Sequence, residues 1–166
     1  MATVNLSKKL NVGCGEDYKS GWINLDSRNN INADIKHDLN KFPYPFKDNS
    51  FEEILLKMVL EHVDNPLRVL KEIIRISKKN ARIRIIVPHG YSYAQITDIQ
   101  HKTSFTENSF HGSLLKEYEL EELNLVNKSF LSSKNKWKKY VPLKWILKIF
   151  LNGIYDDLLF DFVVNK

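Results

Sequence analysis

Apolar positions fall into short runs with two different periods. Lys8-Lys-Leu-Asn-Val12 is a short apolar run stopped by Gly13, and Trp22-Ile-Asn-Leu25 is a second. A weaker run spans Ala33 to His37, a stronger one Phe51 to Leu56, and Arg82-Ile-Arg-Ile-Ile-Val87 is closed by Pro88. Each has the length and β-branched content of a strand. Between the last two, Leu67, Leu70, Ile73 and Ile74 repeat at helical spacing. Asp64 or Asn65 can cap this helix, and Pro66 suits its first position, where no amide hydrogen is needed. Strand, helix, strand in that order predicts a parallel sheet with helices packed on it.

Farther on, Thr106 can cap a short helix, Ser113 to Leu123 reads as helical, and Pro142 opens an amphipathic helix to about Leu151. Lys144 and Lys148 on that helix also fit a membrane surface, although packing on the sheet accounts for it as well. Leu158 to Val164 is nearly continuous in apolar residues and predicts a buried last strand. No repeat or low-complexity linker interrupts the 166 residues, so residues 1–166 are expected to form a single α/β domain.

Composition narrows the class. Apolar residues at 43% and charged residues at 27% are globular proportions, unlike those of disordered or collagen-like chains. The richest apolar stretch, Trp145 to Leu151, is broken by Lys148 and is too short to cross a membrane. The first nine residues have no signal core, and the single cysteine, Cys14, fits a reducing compartment, so a cytoplasmic location is expected. Net charge is +5, and the asymmetry lies between Leu123 and Tyr155, with seven lysines and no acid. Trp137, Tyr140 and Trp145 are interleaved there, a composition shared by solvated helix faces and by nucleic-acid-binding patches.

Three short motifs carry candidate chemistry. Leu10-Asn-Val-Gly-Cys-Gly15 is a strand running into Gly-x-Gly, where glycine lets the backbone turn sharply and approach a ligand. Asp26 ends the next strand, where a carboxylate can accept from both hydroxyls of a ribose. Asp38, in His37-Asp38-Leu39, can accept from an adenine amino group. Gly15 and Asp26 are 11 positions apart, against ~20 in dinucleotide folds, so the first crossover helix is one turn or absent. Tyr18 also stands where a third glycine would complete the dinucleotide fingerprint, and both points count against NAD.

The series resembles the class I S-adenosylmethionine (SAM)-dependent methyltransferases. The resemblance rests on residues 10–15, 21–26 and 37–39, on Phe-Pro-Tyr-Pro-Phe-Lys-Asp-Asn-Ser-Phe-Glu-Glu-Ile at 42–54, and on Val-Leu-Glu-His-Val at 59–63. Leu-Lys-Glu-Ile-Ile-Arg at 70–75 and Val87-Pro88-His89 complete it. It implies a Rossmann-like, mostly parallel seven-stranded sheet with helices on both faces and an antiparallel last strand, with SAM across the carboxyl ends of the strands. Gly13, Cys14 and Gly15 would wrap the methionine part, Asp26 would hold the ribose, Asp38 and Leu39 would face adenine, and Lys57 and Met58 would line the sulfonium side.

Asp98 to Phe110, with His101-Lys102 and Phe105-Thr106, resembles a subgroup in which this segment walls the acceptor pocket. The sequence departs from the family at Tyr18, at Glu53, and at Lys78-Lys-Asn-Ala81 in place of a Pro-Gly-Gly turn. Only seven residues precede the first strand, where the family has a helix over the pocket, so the acceptor side is expected to be open or completed by a second subunit.

Methyl transfer is chiefly a matter of alignment, and a hydroxyl acceptor would be helped by a base. His89 and His101 are the candidates on the expected active-site side, while His62 suits a capping or orienting role. The expected acceptor is a hydroxyl of a small molecule, glycan or lipid. Alternative readings are an RNA methyltransferase or other nucleic-acid-binding protein that uses the lysine-rich stretch, and a methyltransferase-like module without turnover. No metal motif is legible, because the histidines lack ligand spacing and Cys14 has no partner.

Overall fold

The computed structural model describes residues 8–131 and 155–166. Its elements are β1 (Lys9–Val12), β2 (Ile23–Asp26), β3 (Ile35–Lys36), β4 (Phe51–Lys57), α1 (Pro66–Ile76) and β5 (Ser77–Pro88). α2 (Tyr93–Thr97), α3 (Gly112–Glu117), β6 (Leu123–Leu131) and β7 (Asp157–Val164) follow. They form one seven-stranded sheet in the order β3-β2-β1-β4-β5-β7-β6. Neighbours from β3 through β5 are parallel, and β7 runs antiparallel to both β5 and β6. This is the mostly parallel, Rossmann-like arrangement expected of the sequence.

Register explains the apolar pattern. Leu25, Val12, Leu56, Ile85 and Phe160 form one row across five strands, and Ile23, Leu10, Ile54, Ile83 and Phe162 form the next. Alternation puts both rows on one face, where all ten side chains are buried in a single core. Val69, Leu70, Ile73, Ile74 and Ile76 of α1 join this cluster, as do Phe110 and Leu115 from the segment before β6. The facing row on the other side is Asn24, Asn11, Leu55, Arg84 and Asp161. It is held by polar pairs, including Asn11 Nδ2 donating to Asn24 Oδ1 at 3.0 Å and Arg84 Nε donating to Asp161 at 2.6 Å.

α1 begins where the sequence places it. Asn65, not Asp64, is the cap, and its Oδ1 accepts from the Arg68 amide at 3.0 Å with Pro66 in the first turn. The helix ends at Ser77, whose hydroxyl donates to the Ile73 carbonyl at 2.7 Å.

Three elements differ from the sequence reading. β5 starts at Ser77, because Lys78-Lys-Asn-Ala81 continues a strand that pairs with β4 after a register shift. The helix expected over residues 113–123 covers only Gly112–Glu117, and β6, which had no sequence signal, follows it. Thr106 lies in a turn closed by Ser109 rather than at a helix start. The helix expected from Pro142, and all lysines of the lysine-rich stretch except Lys128, lie outside the described residues.

Candidate functional site at the carboxyl ends of the strands

β1 and β2 are joined by turns instead of a helix, and buried asparagines hold the connection. Asn11 Nδ2 donates to the Asp17 carbonyl at 2.8 Å, and Asn24 Oδ1 accepts from the Lys19 amide at 2.9 Å. Tyr18, at the missing third glycine, donates its hydroxyl to Asp34 at 2.9 Å, and Asp34 accepts from the Asn24 amide. These bonds satisfy backbone groups that a crossover helix would otherwise satisfy internally.

The turn itself is tightly specified. Gly13 has φ +61°, and a Cβ there would lie 2.6 Å from Cγ2 of buried Val59. The Cys14 amide donates to the Leu25 carbonyl at 2.9 Å, which ties the turn to β2. Gly15, φ +53°, donates its amide to Asp26 Oδ2 at 2.9 Å.

Asp26 is 6% exposed and faces a cavity of about 420 Å³, within the range of small-ligand sites. The Arg28 amide donates to its Oδ1 at 2.9 Å, and the Arg28 guanidinium donates to Oδ1 at 3.2 Å and Oδ2 at 3.3 Å. Burial alone would raise the Asp26 pKa, but the Arg28 side chain and the amides of Arg28 and Gly15 outweigh it and hold the carboxyl below its ordinary value.

The cavity is also lined by Gly13, Asp38, Leu39 and Met58, so five of the eight residues expected around the cofactor meet there. Gly15 reaches it through Asp26. The other two point elsewhere: Cys14 is buried with its sulfur toward the Asn32 carbonyl, and Lys57 is bonded to Asp17 at 3.0 Å. Burial, then the Asp26 charge, raises the Cys14 pKa. Met58 has φ 55°, an uncommon conformation for a side-chain-bearing residue, and its amide donates to the Ile86 carbonyl at 2.8 Å.

The same cavity contains residues that the sequence marked less clearly. His62 and Gln100 line it, and the His62 ring lies 4.7 Å from that of His101, which sits behind it. His101 Nδ1 is 3.3 Å from the Gln95 carbonyl, and Nε2 is 3.7 Å from Asp98. Burial first, then the charge of His101, lowers the His62 pKa, so its imidazole is neutral near pH 7. His89 lies outside this lining, 3.6 Å from Glu107 and with its ring against Tyr91 and Phe130. Glu61 is fully buried, among the described residues neither carboxylate oxygen has a hydrogen bond of ordinary geometry, and burial, only partly offset by the backbone amides of Glu61 and Val59, pushes its pKa up to about 7. Arg28, Ser27 and Asn40, also in the lining, had no sequence signal.

The family model described as a methyltransferase domain matches residues 14–85. No curated protein sequence matches the chain. Among solved structures, a SAM-dependent methyltransferase from Archaeoglobus fulgidus is similar at TM-score 0.70 and 16% identity, covering 96% of this chain and 86% of that one. The complex of the Haloferax volcanii Trm112 methyltransferase activator with a methyltransferase is similar at TM-score 0.64 and 15% identity, covering 99% and 85%. The [4+2]-cyclase SpnF is similar at TM-score 0.62 and 11% identity, covering 95% and 74%, so the architecture by itself does not dictate the reaction. Residues 14–85 match the methyltransferase-domain model, and the sheet has the fold of these SAM-dependent methyltransferase structures.

The residues present fit SAM. Gly13 lines the cavity with backbone alone, Asp26 offers two carboxylate oxygens there, and Asp38 and Leu39 lie beside it. Among the described residues, no helix is long and apolar enough to cross a membrane.

Proposed function

We propose that this cavity binds SAM and that the chain transfers its methyl group to a hydroxyl of a small molecule, glycan or lipid. When bound, SAM supplies a sulfonium methyl that is already strongly electrophilic, so the protein must chiefly orient and exclude water. The observation that carries the reading is Asp26: a carboxylate held ionised at the end of β2, against the Gly13–Gly15 turn and in one cavity with Asp38 and Leu39.

In this reading Asp26 accepts from the ribose hydroxyls, which exchange with the Arg28 guanidinium now on the same oxygens. Asp38 and Leu39 flank the adenine. The Gly13–Gly15 turn and Met58 border the methionine and sulfonium end. The wall of His62 and Gln100, with His101 behind it, is the acceptor side, and neutral His62 presents a lone pair there. His101 therefore acts through His62, and His89 is assigned no part.

Calorimetric titration with SAM, S-adenosylhomocysteine and NAD tests the cofactor. Transfer of labelled methyl from SAM to panels of glycans, lipids and small alcohols tests the acceptor. Micromolar binding of the two adenosyl ligands, weakened in Asp26→Ala, together with labelled hydroxyl products is expected. Preference for NAD, or label found only on nitrogen or carbon, would overturn the reading.

A further inference from the structure

Glu61, His62 and His101 come together beside the cavity although the last two are 39 positions apart. One ligating atom from each, a carboxylate oxygen and two imidazole nitrogens, lies within 4.8 Å of the other two. The loop that carries His101 is pinned to this spot, because the amides of Lys102 and Thr103 both donate to the Glu61 carbonyl, at 2.7 and 3.3 Å. The assembly is therefore built into the backbone and does not depend on chance side-chain approach.

Glu61 is the independent sign of a ligand. Buried carboxylates are almost always hydrogen-bonded or paired, since a buried polar group without a partner costs about 1–3 kcal/mol. Among the described residues neither Glu61 oxygen has a hydrogen bond of ordinary geometry, with only the backbone amides of Glu61 and Val59 acting weakly on the carboxyl, yet the side chain is held with no exposure beside two imidazoles. A cation between the three would satisfy it. His101 is arranged for the same purpose: with its proton on Nδ1, donated toward the Gln95 carbonyl at 3.3 Å, Nε2 keeps a lone pair. A ligating histidine ordinarily has its other nitrogen fixed in this way by a carbonyl or carboxylate.

We infer that Glu61, His62 and His101 bind one first-row divalent cation of the zinc type, with open coordination positions toward the cavity. Two imidazoles and a carboxylate are a donor set suited to zinc, iron(II) or cobalt(II) and poorly suited to magnesium or calcium. Ligand atoms around tetrahedral zinc lie roughly 3.3 Å apart. Binding therefore requires the ligand atoms to close by up to about 1.5 Å from their present spacing. His62 lines the cavity, so the open positions fall where an acceptor oxygen would sit. There the ion would favour the deprotonated oxygen, with the proton leaving to solvent. Asp98, 3.7 Å from His101 Nε2 and half exposed, is placed to supply a fourth ligand. The metal site itself does not depend on the identity of the acceptor.

The test is cobalt(II) titration of the untagged, chelator-stripped chain, followed by visible absorption and by bound-metal analysis, with zinc as competitor. One equivalent per chain is expected, displaced by zinc, with affinity reduced at least about tenfold in Glu61→Gln and in His101→Ala. His111→Ala should bind like the wild type. Circular dichroism checks folding, and Glu61→Gln, which keeps side-chain volume, carries the test if His101→Ala does not fold. Binding well below one equivalent, or unchanged in both variants, would overturn the inference. Titrating the metal-free chain with SAM in parallel separates the two readings: cobalt binding without SAM binding removes the methyl-transfer reading alone, and the reverse removes the metal site alone.

Discussion

The carboxylate of Asp26 accepts the backbone amide of Gly15 at 2.9 Å, so the end of β2 clamps the turn that follows β1. One side chain thus shapes the glycine turn and presents oxygens to the cavity. Asp26→Ala is expected to weaken SAM and S-adenosylhomocysteine binding at least tenfold by calorimetry, and Asp26→Asn should weaken it less, because one acceptor oxygen remains.

The same carboxylate sets a pH dependence. Its folded pKa lies below the unfolded value, through the Arg28 and Gly15 bonds that outweigh burial. Its contribution to stability is therefore fully present above the ordinary aspartate range, near pH ~4, and is lost as pH falls through the lowered folded value. Denaturant unfolding of the wild type and Asp26→Asn should show a stability gap that is constant around neutral pH and narrows below pH ~4. A gap that widens on acidification would refute the assignment.

Arg28 competes for the oxygens that a ribose would use. Its side chain is 58% exposed, and exposed ion pairs contribute about 0.2–1 kcal/mol. Arg28→Ala should therefore tighten SAM binding by up to about fivefold. Loss of binding in this variant would show that Arg28 holds the cofactor itself.

Gly13 and Gly15 both have positive φ but differ in their surroundings. Gly13→Ala meets buried Val59 at 2.6 Å, whereas Gly15→Ala meets only the tip of Arg28 at 3.1 Å. Backbone strain should cost each about 1–2 kcal/mol. Overpacking adds about 1–3 kcal/mol to Gly13→Ala alone. Val59→Ala should recover the second part and not the first, as measured by chemical denaturation.

Cys14 and Lys57 are side chains the cavity does not use. Cys14→Ala and Lys57→Met should leave SAM affinity within about twofold. The Cys14 thiol, buried and raised in pKa, should resist a thiol-titrating disulfide reagent in the folded chain and react on unfolding. Rapid reaction of the native protein would place it in an open site.

What the sequence alone determined is local. Alternating apolar residues in β1, β4 and β5, the Asn65-Pro66 start of α1 and the apolar run of β7 have short-range causes, namely side-chain period and capping chemistry. Gly13, Asp26 and Asp38 were legible because strand ends and turns bear recognisable residues. β6 was not, because it is an edge strand on which Asn124, Asn127 and Lys128 face solvent while Leu123 is buried, so no alternation survives. Tertiary structure decided which side chains meet. Arg28 covers Asp26 only because the chain turns after β2, and Cys14 leaves the site because its amide is tied to β2. Glu61 and His62 face His101 because two backbone amides dock a distant loop on the Glu61 carbonyl. No period or spacing encodes that contact; it follows from where the sheet brings the ends of its connections.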